Sequence, residues 1–346
     1  MKNPTAPLNG RITLRHGAGG PAMRSLIERV FAHGFPAAEG EVVGLAAMAD
    51  GAALRVGGRI VVVTTDSHVI HPIFFPGGDI GRLAVSGTVN DLAMMGATDT
   101  PALACAAIIE DGFSRADLER IQASLLETCL EAGATIVTGD TKVMGKGELD
   151  GIVLTTTGVA VADRVVSDAG LRAGDRILLT GTIGDHGLAV MAARHALEFE
   201  GRLVSDVAPI NGLIRHALAA GGEAITAMKD PTRGGVASAL HEMAAKGGVG
   251  IVLEEAAVPV RSEVRAAGEL LGIDPLHVAN EGKALLAVRP DAADRVLESL
   301  RSHQLGREAA IIGGCTADHA GSVILDTGLG RRLLVEAEGE LLPRIC

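Results

Sequence analysis

The chain has 346 residues, a net charge of −11, 47% hydrophobic and 21% charged residues. That length suggests two domains at roughly 100–200 residues each, with enough apolar content for sizeable cores. An acidic chain with no Trp, no Tyr and six Phe lacks the basic stripes and stacking platforms that nucleic acid requires, so no nucleic-acid partner is expected.

Residues 1–10 carry Pro4 and Pro7 and no apolar core, so a signal peptide is not expected. The apolar run 103–109 is far too short to span a bilayer, and no basic amphipathic helix offers membrane docking. Cys105, Cys129, Cys315 and Cys346 are scattered with no Cys-x-x-Cys pair, which argues against a zinc site or a disulfide framework. Cys105 and Cys129 lie in apolar runs and read as small core residues. A cytoplasmic protein is expected.

Taken in order, Arg15-His16-Gly17-Ala18-Gly19-Gly20 is a Gly-rich loop, and Pro21 opens a helix carrying Met23, Leu26, Ile27, Val30 and Phe31 at helical spacing. A loop before a helix can offer backbone N–H groups to phosphate; on its own it reads as a plain flexible loop. Residues 59–66 read as a buried strand ending in the carboxylate of Asp66. After residues 74–79 a helix runs over about 80–95, rich in small residues (Gly81, Ala84, Ser86, Gly87, Ala93), with Asn90-Asp91 late on it. An apolar strand over 102–109 follows, then a helix capped by Ser114 with Asp117 three residues on. A short strand over 134–137 runs into Thr138-Gly139-Asp140-Thr141-Lys142, and 151–161 form another strand.

The polar stretch 163–175 marks a boundary, giving an N-terminal domain over 1–165, a C-terminal domain over 166–330 and a terminal segment over 331–346. The second half alternates strands (176–180, 224–228, 249–253, 284–288, 309–313) with helices (184–195, 209–219, one ending near Ala245, 262–271, 291–302). The fold class expected is α/β and α+β. A weak echo links Arg82–Gly96 to Arg233–Gly247: Asp91 and Glu242 fall at the same offset from the arginine.

Asp66, Asp91 and Asp140 each follow or end an apolar segment among small or hydroxyl residues. Converging carboxylates would suit Mg²⁺, which prefers hard oxygen ligands and bridges to substrate phosphates; each taken singly also reads as a cap or turn residue. His68 and His71 have the spacing of a metal pair but read as polar loop residues. Cys346 ends the sequence. A thiol on a chain end is a mobile nucleophile if its surroundings favour the thiolate; by itself it also reads as an incidental residue on a frayed end.

The run from Gly77 to Ala93, Thr64-Thr65-Asp66-Ser67, Val137-Thr138-Gly139-Asp140-Thr141-Lys142-Val143 and Lys229-Asp230-Pro231-Thr232-Arg233-Gly234-Gly235 resemble the ATP-binding core of the aminoimidazole-ribonucleotide synthetase (PurM-like) superfamily. Within it, the ending Pro343-Arg344-Ile345-Cys346 resembles that of the hydrogenase-maturation carbamoyl dehydratases, and the likeness runs from about Gly17 to Cys346.

This resemblance implies an N-terminal ATP-binding domain that pairs with a second copy in a homodimer, and a C-terminal α+β domain. It implies that a partner carbamoyltransferase loads Cys346. ATP then drives dehydration of the S-carboxamide to an S-cyanide, which passes to an iron scaffold of partner maturation proteins. Asp66, Asp91 and Asp140 would hold Mg²⁺ and polyphosphate, with Asn90 beside them and Gly17, Gly19 and Gly20 closing over the phosphates. Glu281 and Lys142 are the candidates for the base. Rival readings are another ATP-using member of the superfamily that acts on a free small substrate, and a thiol carrier in which Cys346 only ferries a group.

Overall fold

The computed structural model describes residues 11–32, 34–197, 203–337 and 345–346. Residues 1–10, Pro343 and Arg344, which entered the reading above, lie outside the described residues.

The helices in chain order are α1 (Gly20–Leu26), α2 (Ile80–Met94), α3 (Arg115–Ala132), α4 (Asp185–Arg194), α5 (Asn211–Gly221), α6 (Gly235–Gly247), α7 (Ser262–Leu271) and α8 (Pro290–Ser302). The N-terminal strands are β1 (Glu41–Val43), β2 (Ala52–Val56), β3 (Arg59–His68), the short hairpin β4 (Phe74–Phe75) and β5 (Gly78–Asp79), β6 (Asp99–Glu110), β7 (Thr135–Met144) and β8 (Ile152–Ala162). Those of the C-terminal half are β9 (Arg176–Leu179), β10 (Ile225–Lys229), β11 (Gly250–Glu254), β12 (Leu285–Val288), β13 (Ala310–Thr316), β14 (Val323–Asp326) and β15 (Arg331–Leu333).

Six strands form the first sheet in the order β1-β2-β3-β8-β6-β7, and seven form the second in the order β10-β12-β9-β13-β11-β14-β15. Only β6–β7 is parallel in the first sheet. A parallel pair needs a crossover, and α3 supplies it. Among the described residues no helix is long and apolar enough to cross a membrane.

The small residues of α2 have a packing reason. Thirteen of its residues are buried, because one side lies on β3 and β8 and another on α3 and α5. A Cβ at Gly87 would stand 2.8 Å from His68 Cε1, so only glycine lets the helix lie this close to β3. Asp79 starts the helix by accepting the Gly81 and Arg82 N–H groups at 2.8 and 3.0 Å. Ser114 caps α3 by accepting from the Asp117 N–H, as the sequence predicts.

The two halves are bonded through α2. Asn90 Nδ2 donates to the carbonyls of Ala208 (3.1 Å) and Glu281 (3.2 Å), and Asn90 Oδ1 accepts the Ile210 N–H at 2.8 Å. A cluster containing Ala93, Met94, Ile210, Leu213 and Leu286 continues the contact in apolar form. Asn90, expected beside the cofactor, has its side-chain amide engaged in joining the domains.

Two features depart from the sequence reading. The antiparallel hairpin β2–β3, turning at Gly57-Gly58, was not anticipated over 52–56. Strand β7 continues through Thr138–Lys142 instead of ending at Val137, in register with β6 from Ala104↔Thr138 to Ile108↔Lys142.

Candidate active site between the two domains

A cavity of about 510 Å³ opens where β3, α2 and α6 face one another. Strand β3 contributes Thr64 and Asp66, α2 contributes Gly87 and Asp91, β10 ends in Lys229, and the turn before α6 contributes Asp230 and Arg233. Glu242 and Lys246 of α6, Glu281, the Gly19-Gly20 turn, Asp50 and Cys346 complete the lining. Alternation along β3 sets part of this: Thr64 and Asp66 share a face two residues apart. Gly19 has φ +78° and lies so close to the Arg233 carbonyl that a Cβ would stand 2.8 Å from its oxygen. That contact brings the glycine loop onto the turn before α6.

Acids dominate the interior. Burial first, then Asp230, Asp66 and Asp50, push the Asp91 pKa well above the carboxylate range. Asp230 is pushed up to about 8 by burial and by Asp50, against the opposing pull of Lys229. Glu281 is raised well above its usual range by burial, then by Asp230, Asp66 and Asp206, and its Oε1 is buried without a hydrogen-bond partner. A buried polar atom left unmatched carries a cost that a ligand group would remove.

The cations nearby are already engaged. Burial works to lower the Lys229 pKa, yet Asp50, Glu242, Asp168 and Asp230 raise it well above the lysine range, and Nζ sits 2.5 Å from Asp50 Oδ1. Lys246 Nζ donates to Asp168 Oδ2 at 2.6 Å and to the Met48 carbonyl at 2.7 Å. Arg24 of α1 grips Glu336 with two parallel bonds of 2.8 and 2.7 Å and reaches Glu242 at 3.1 Å. That fork ties the helix after the glycine loop to the segment that follows β15. Arg233 has its pKa raised first by Cys346 and then, against burial, by Asp66, Glu281 and Asp91.

The chain end is seated. Ile345 is 5% exposed and packs in one apolar cluster with Ile70, Phe75, Leu188 and Val190. Its carbonyl accepts from His186 Nε2 at 2.7 Å, and the Val69 N–H donates to the main-chain oxygen of Cys346 at 3.3 Å.

The fold thus brings Gly19, Gly20, Asp66, Asp91, Glu281 and Cys346 to one cavity. Gly17 is exposed outside its lining. Asp140 and Lys142 do not enter the cavity of their own chain: they lie exposed on β7, the outer strand, 2.7 Å apart. Lys142 holds the Asp140 pKa down, and Asp140 holds that of Lys142 up. His68 is not a loop residue. It is buried at the end of β3, with Nε2 3.3 Å from Thr156 Oγ1 and 3.8 Å from Asp66 Oδ2, and burial first lowers its pKa, leaving it neutral.

Sequence reasoning missed Asp50, Asp230, Arg233, Glu242 and Arg24 as cavity residues. Asp230 and Arg233 belong to a block already singled out, so a signal existed. Asp50 precedes a glycine in a turn and offered none. Among the described residues no three His, Cys, Asp or Glu side chains stand together at metal-ligating spacing.

Models of the AIR synthase related protein N-terminal and C-terminal domains match residues 48–162 and 172–326. The carbamoyl dehydratase HypE of Rhizobium leguminosarum bv. viciae is 48% identical over 342 residues, covering 98% of this chain and 96% of that protein. A crystal structure of a HypE–HypF complex contains a chain of 45% identity with a TM-score of 0.83, over 90% of this chain and 99% of that one. HypE in complex with ATP is 40% identical with a TM-score of 0.80, over 96% and 99% of the two chains. With this likeness spread over both domains and the cavity between them, the chain belongs to the HypE carbamoyl dehydratase family of PurM-like, AIR synthase related proteins.

Proposed function

We propose that this protein is an ATP-dependent carbamoyl dehydratase whose substrate is a carbamoyl group on its own Cys346, and that the product thiocyanate supplies the cyanide ligand of a NiFe hydrogenase iron. The observation that carries the reading is the shared cavity. Cys346, the raised carboxyl of Glu281 and the Asp66–Asp91–Asp230 group line the same space.

The chemistry needs those parts. An amide oxygen is a poor leaving group, so it first attacks the γ-phosphorus of ATP and ADP departs. The amide nitrogen gives up one proton and an O-phosphorylated imidate forms. Loss of the second N–H proton expels phosphate and leaves S–C≡N. The sum is S-carboxamide plus ATP to S-cyanide, ADP, phosphate and a proton. Glu281 is the group placed to take a proton, since a carboxylate of raised pKa is a stronger base once ionised. Arg233, held charged beside Cys346 and the acids, offsets negative charge on the transferring phosphoryl group. The Gly19-Gly20 turn and the start of α1 offer backbone donors to the phosphates.

The donor set fits Mg²⁺. The acids are hard oxygen donors; burial pushes Asp91 and Asp230 toward their protonated forms, and a cation would ionise them. Magnesium is ordinarily held by one or two carboxylates plus substrate phosphates. Asp66 and Asp91 would hold it, and it would neutralise the polyphosphate.

Asp140 and Lys142 enter this reading through a second copy. Strand β7 is an uncovered sheet edge with Val137 and Val143 exposed. Pairing of two such edges in a homodimer would bring the partner's Asp140–Lys142 pair to this cavity. A HypF-type carbamoyltransferase would load Cys346, and a HypC–HypD iron scaffold would receive the cyanide. A cytoplasmic setting fits these partners. Intact mass spectrometry tests the reading. Wild type should gain one carbamoyl group at Cys346 from a carbamoyl donor system, then lose one water when ATP is added. Modification of Cys105, Cys129 or Cys315 instead, or cyanide formation by Cys346→Ala, would overturn it.

A further inference from the structure

We propose that His186 is the positioning residue of the reaction: its imidazole holds the Ile345 carbonyl and thereby sets Cys346 in the cavity. The inference deepens the dehydratase reading and rests on it only for its catalytic consequence.

His186 lies in the first turn of α4, in the C-terminal half, and is fully buried. A carbonyl can only accept, so the 2.7 Å contact with Ile345 O requires the proton on Nε2. The other nitrogen lies 2.8 Å from Ser205 Oγ. That hydroxyl accepts the Val207 N–H at 3.0 Å, so its own proton is available to Nδ1. The ring is therefore fixed as the neutral Nε2–H tautomer, and burial, which lowers its pKa, keeps it so. Ser205 is itself pinned to the N-terminal half by its N–H bond to the Pro76 carbonyl at 2.9 Å. Phe75 sets its ring edge-on to the imidazole, 5.5 Å between centroids at 87°.

None of these groups reaches the phosphoryl-transfer cavity, so His186 has no direct chemical part. What it touches is the residue before the reacting thiol. The Val69 N–H donates to the main-chain oxygen of Cys346, so consecutive main-chain oxygens are held from the two halves of the molecule. Ile345 fills the apolar seat between them. Such a seat fixes direction as well as position, and direction decides whether an amide oxygen on Cys346 can face a γ-phosphate. Ordering the chain end costs conformational entropy, which the burial of Ile345 and the His186 bond help to offset.

The test uses the full-length protein as His186→Ala and His186→Gln, since glutamine keeps an N–H donor. Alkylation of Cys346 by N-ethylmaleimide, mapped by peptide mass, reads the docked fraction without nucleotide or carbamoyl group. Alanine should speed it roughly tenfold, the loss of one buried hydrogen bond and its packing, with glutamine nearer wild type. In single turnover on S-carbamoylated Cys346, alanine should slow dehydration by a similar factor while ATP affinity holds. A wild-type alkylation rate in folded His186→Ala overturns the proposal. Should alanine fail to fold, Ser205→Ala, which frees the tautomer, must speed alkylation; an unchanged rate overturns the proposal equally. Failure of wild type to dehydrate its carbamoylated tail would instead overturn the dehydratase reading and leave the alkylation result standing.

Discussion

Thr64 Oγ1 stands 2.9 Å from Asp91 Oδ2 and 2.8 Å from the Asp50 carbonyl. The hydroxyl shares its one proton between the two acceptors, and its bond to Asp91 works to lower the Asp91 pKa. Burial and the neighbouring acids outweigh it and hold Asp91 toward its protonated form, where a cation would need a carboxylate.

That pairing makes Asp91→Asn a clean substitution. An asparagine Oδ1 can accept from Thr64 as the carboxyl oxygen does, so the variant should fold and melt like wild type. It cannot supply an anion, and Mg²⁺-dependent ATP turnover should fall at least ~100-fold, the scale of a lost charge-stabilising group. Near wild-type turnover in the folded variant would remove Asp91 from the metal site.

Proton release provides a second check. Asp230 keeps its proton in the folded protein up to about pH 8 and loses it near the ordinary aspartate range when unfolded. The folded state therefore binds more protons between those values, and ligand-free stability should fall as pH rises toward 8. If Mg²⁺ binds with ATP beside Asp91 and Asp230, both acids ionise and protons should leave at pH 7. Calorimetry in buffers of differing ionisation enthalpy reads that number directly; heats independent of buffer would contradict a cation among Asp66, Asp91 and Asp230.

Asp140 is singled out by its sequence block, but where the fold puts it is a matter of topology. Its block reads clearly in sequence, yet β7 is the edge strand, and sequence does not say which chain's cavity an edge residue serves. The core helix α2 was legible because close packing leaves a dense run of small residues. The β2–β3 hairpin had a Gly-Gly turn as its signal, lost among 46 glycines. The tail's seat was out of reach, since Ile345 meets His186, 159 positions away, only through the tertiary fold. The echo between α2 and α6 did have content: Asp91 and Glu242 line the same cavity.

Sharing of the site across a dimer can be tested by mixing. Asp91→Asn and Asp140→Asn should each be inactive alone. If Asp140 serves the partner's cavity, a mixed dimer has one site with both defects and one with neither. Random reassortment of equal amounts then restores about a quarter of wild-type activity. No recovery after verified subunit exchange would place Asp140 outside the shared site, and sedimentation as a monomer at micromolar concentration would remove the dimer itself.

Glu281→Gln addresses the base. Glu281 donates its main-chain N–H to Asp206 Oδ1 at 3.1 Å, and its carbonyl accepts from Asn90; both are main-chain bonds that the substitution leaves in place. The side chain is held protonated by burial and by Asp230, Asp66 and Asp206, and glutamine copies the shape of a protonated carboxyl. Fold, ATP affinity and carbamoyl loading of Cys346 should therefore survive. Proton removal from the amide nitrogen should not, and single-turnover dehydration should slow by ~10²–10⁴. The pH profile separates this from a positional effect. A base works when ionised, so wild-type dehydration should rise with pH through a limb displaced above the ordinary carboxylate range. That limb should vanish in Glu281→Gln, leaving a low, flat rate. A slow variant that keeps the wild-type limb would show that another group takes the proton and that Glu281 only shapes the cavity.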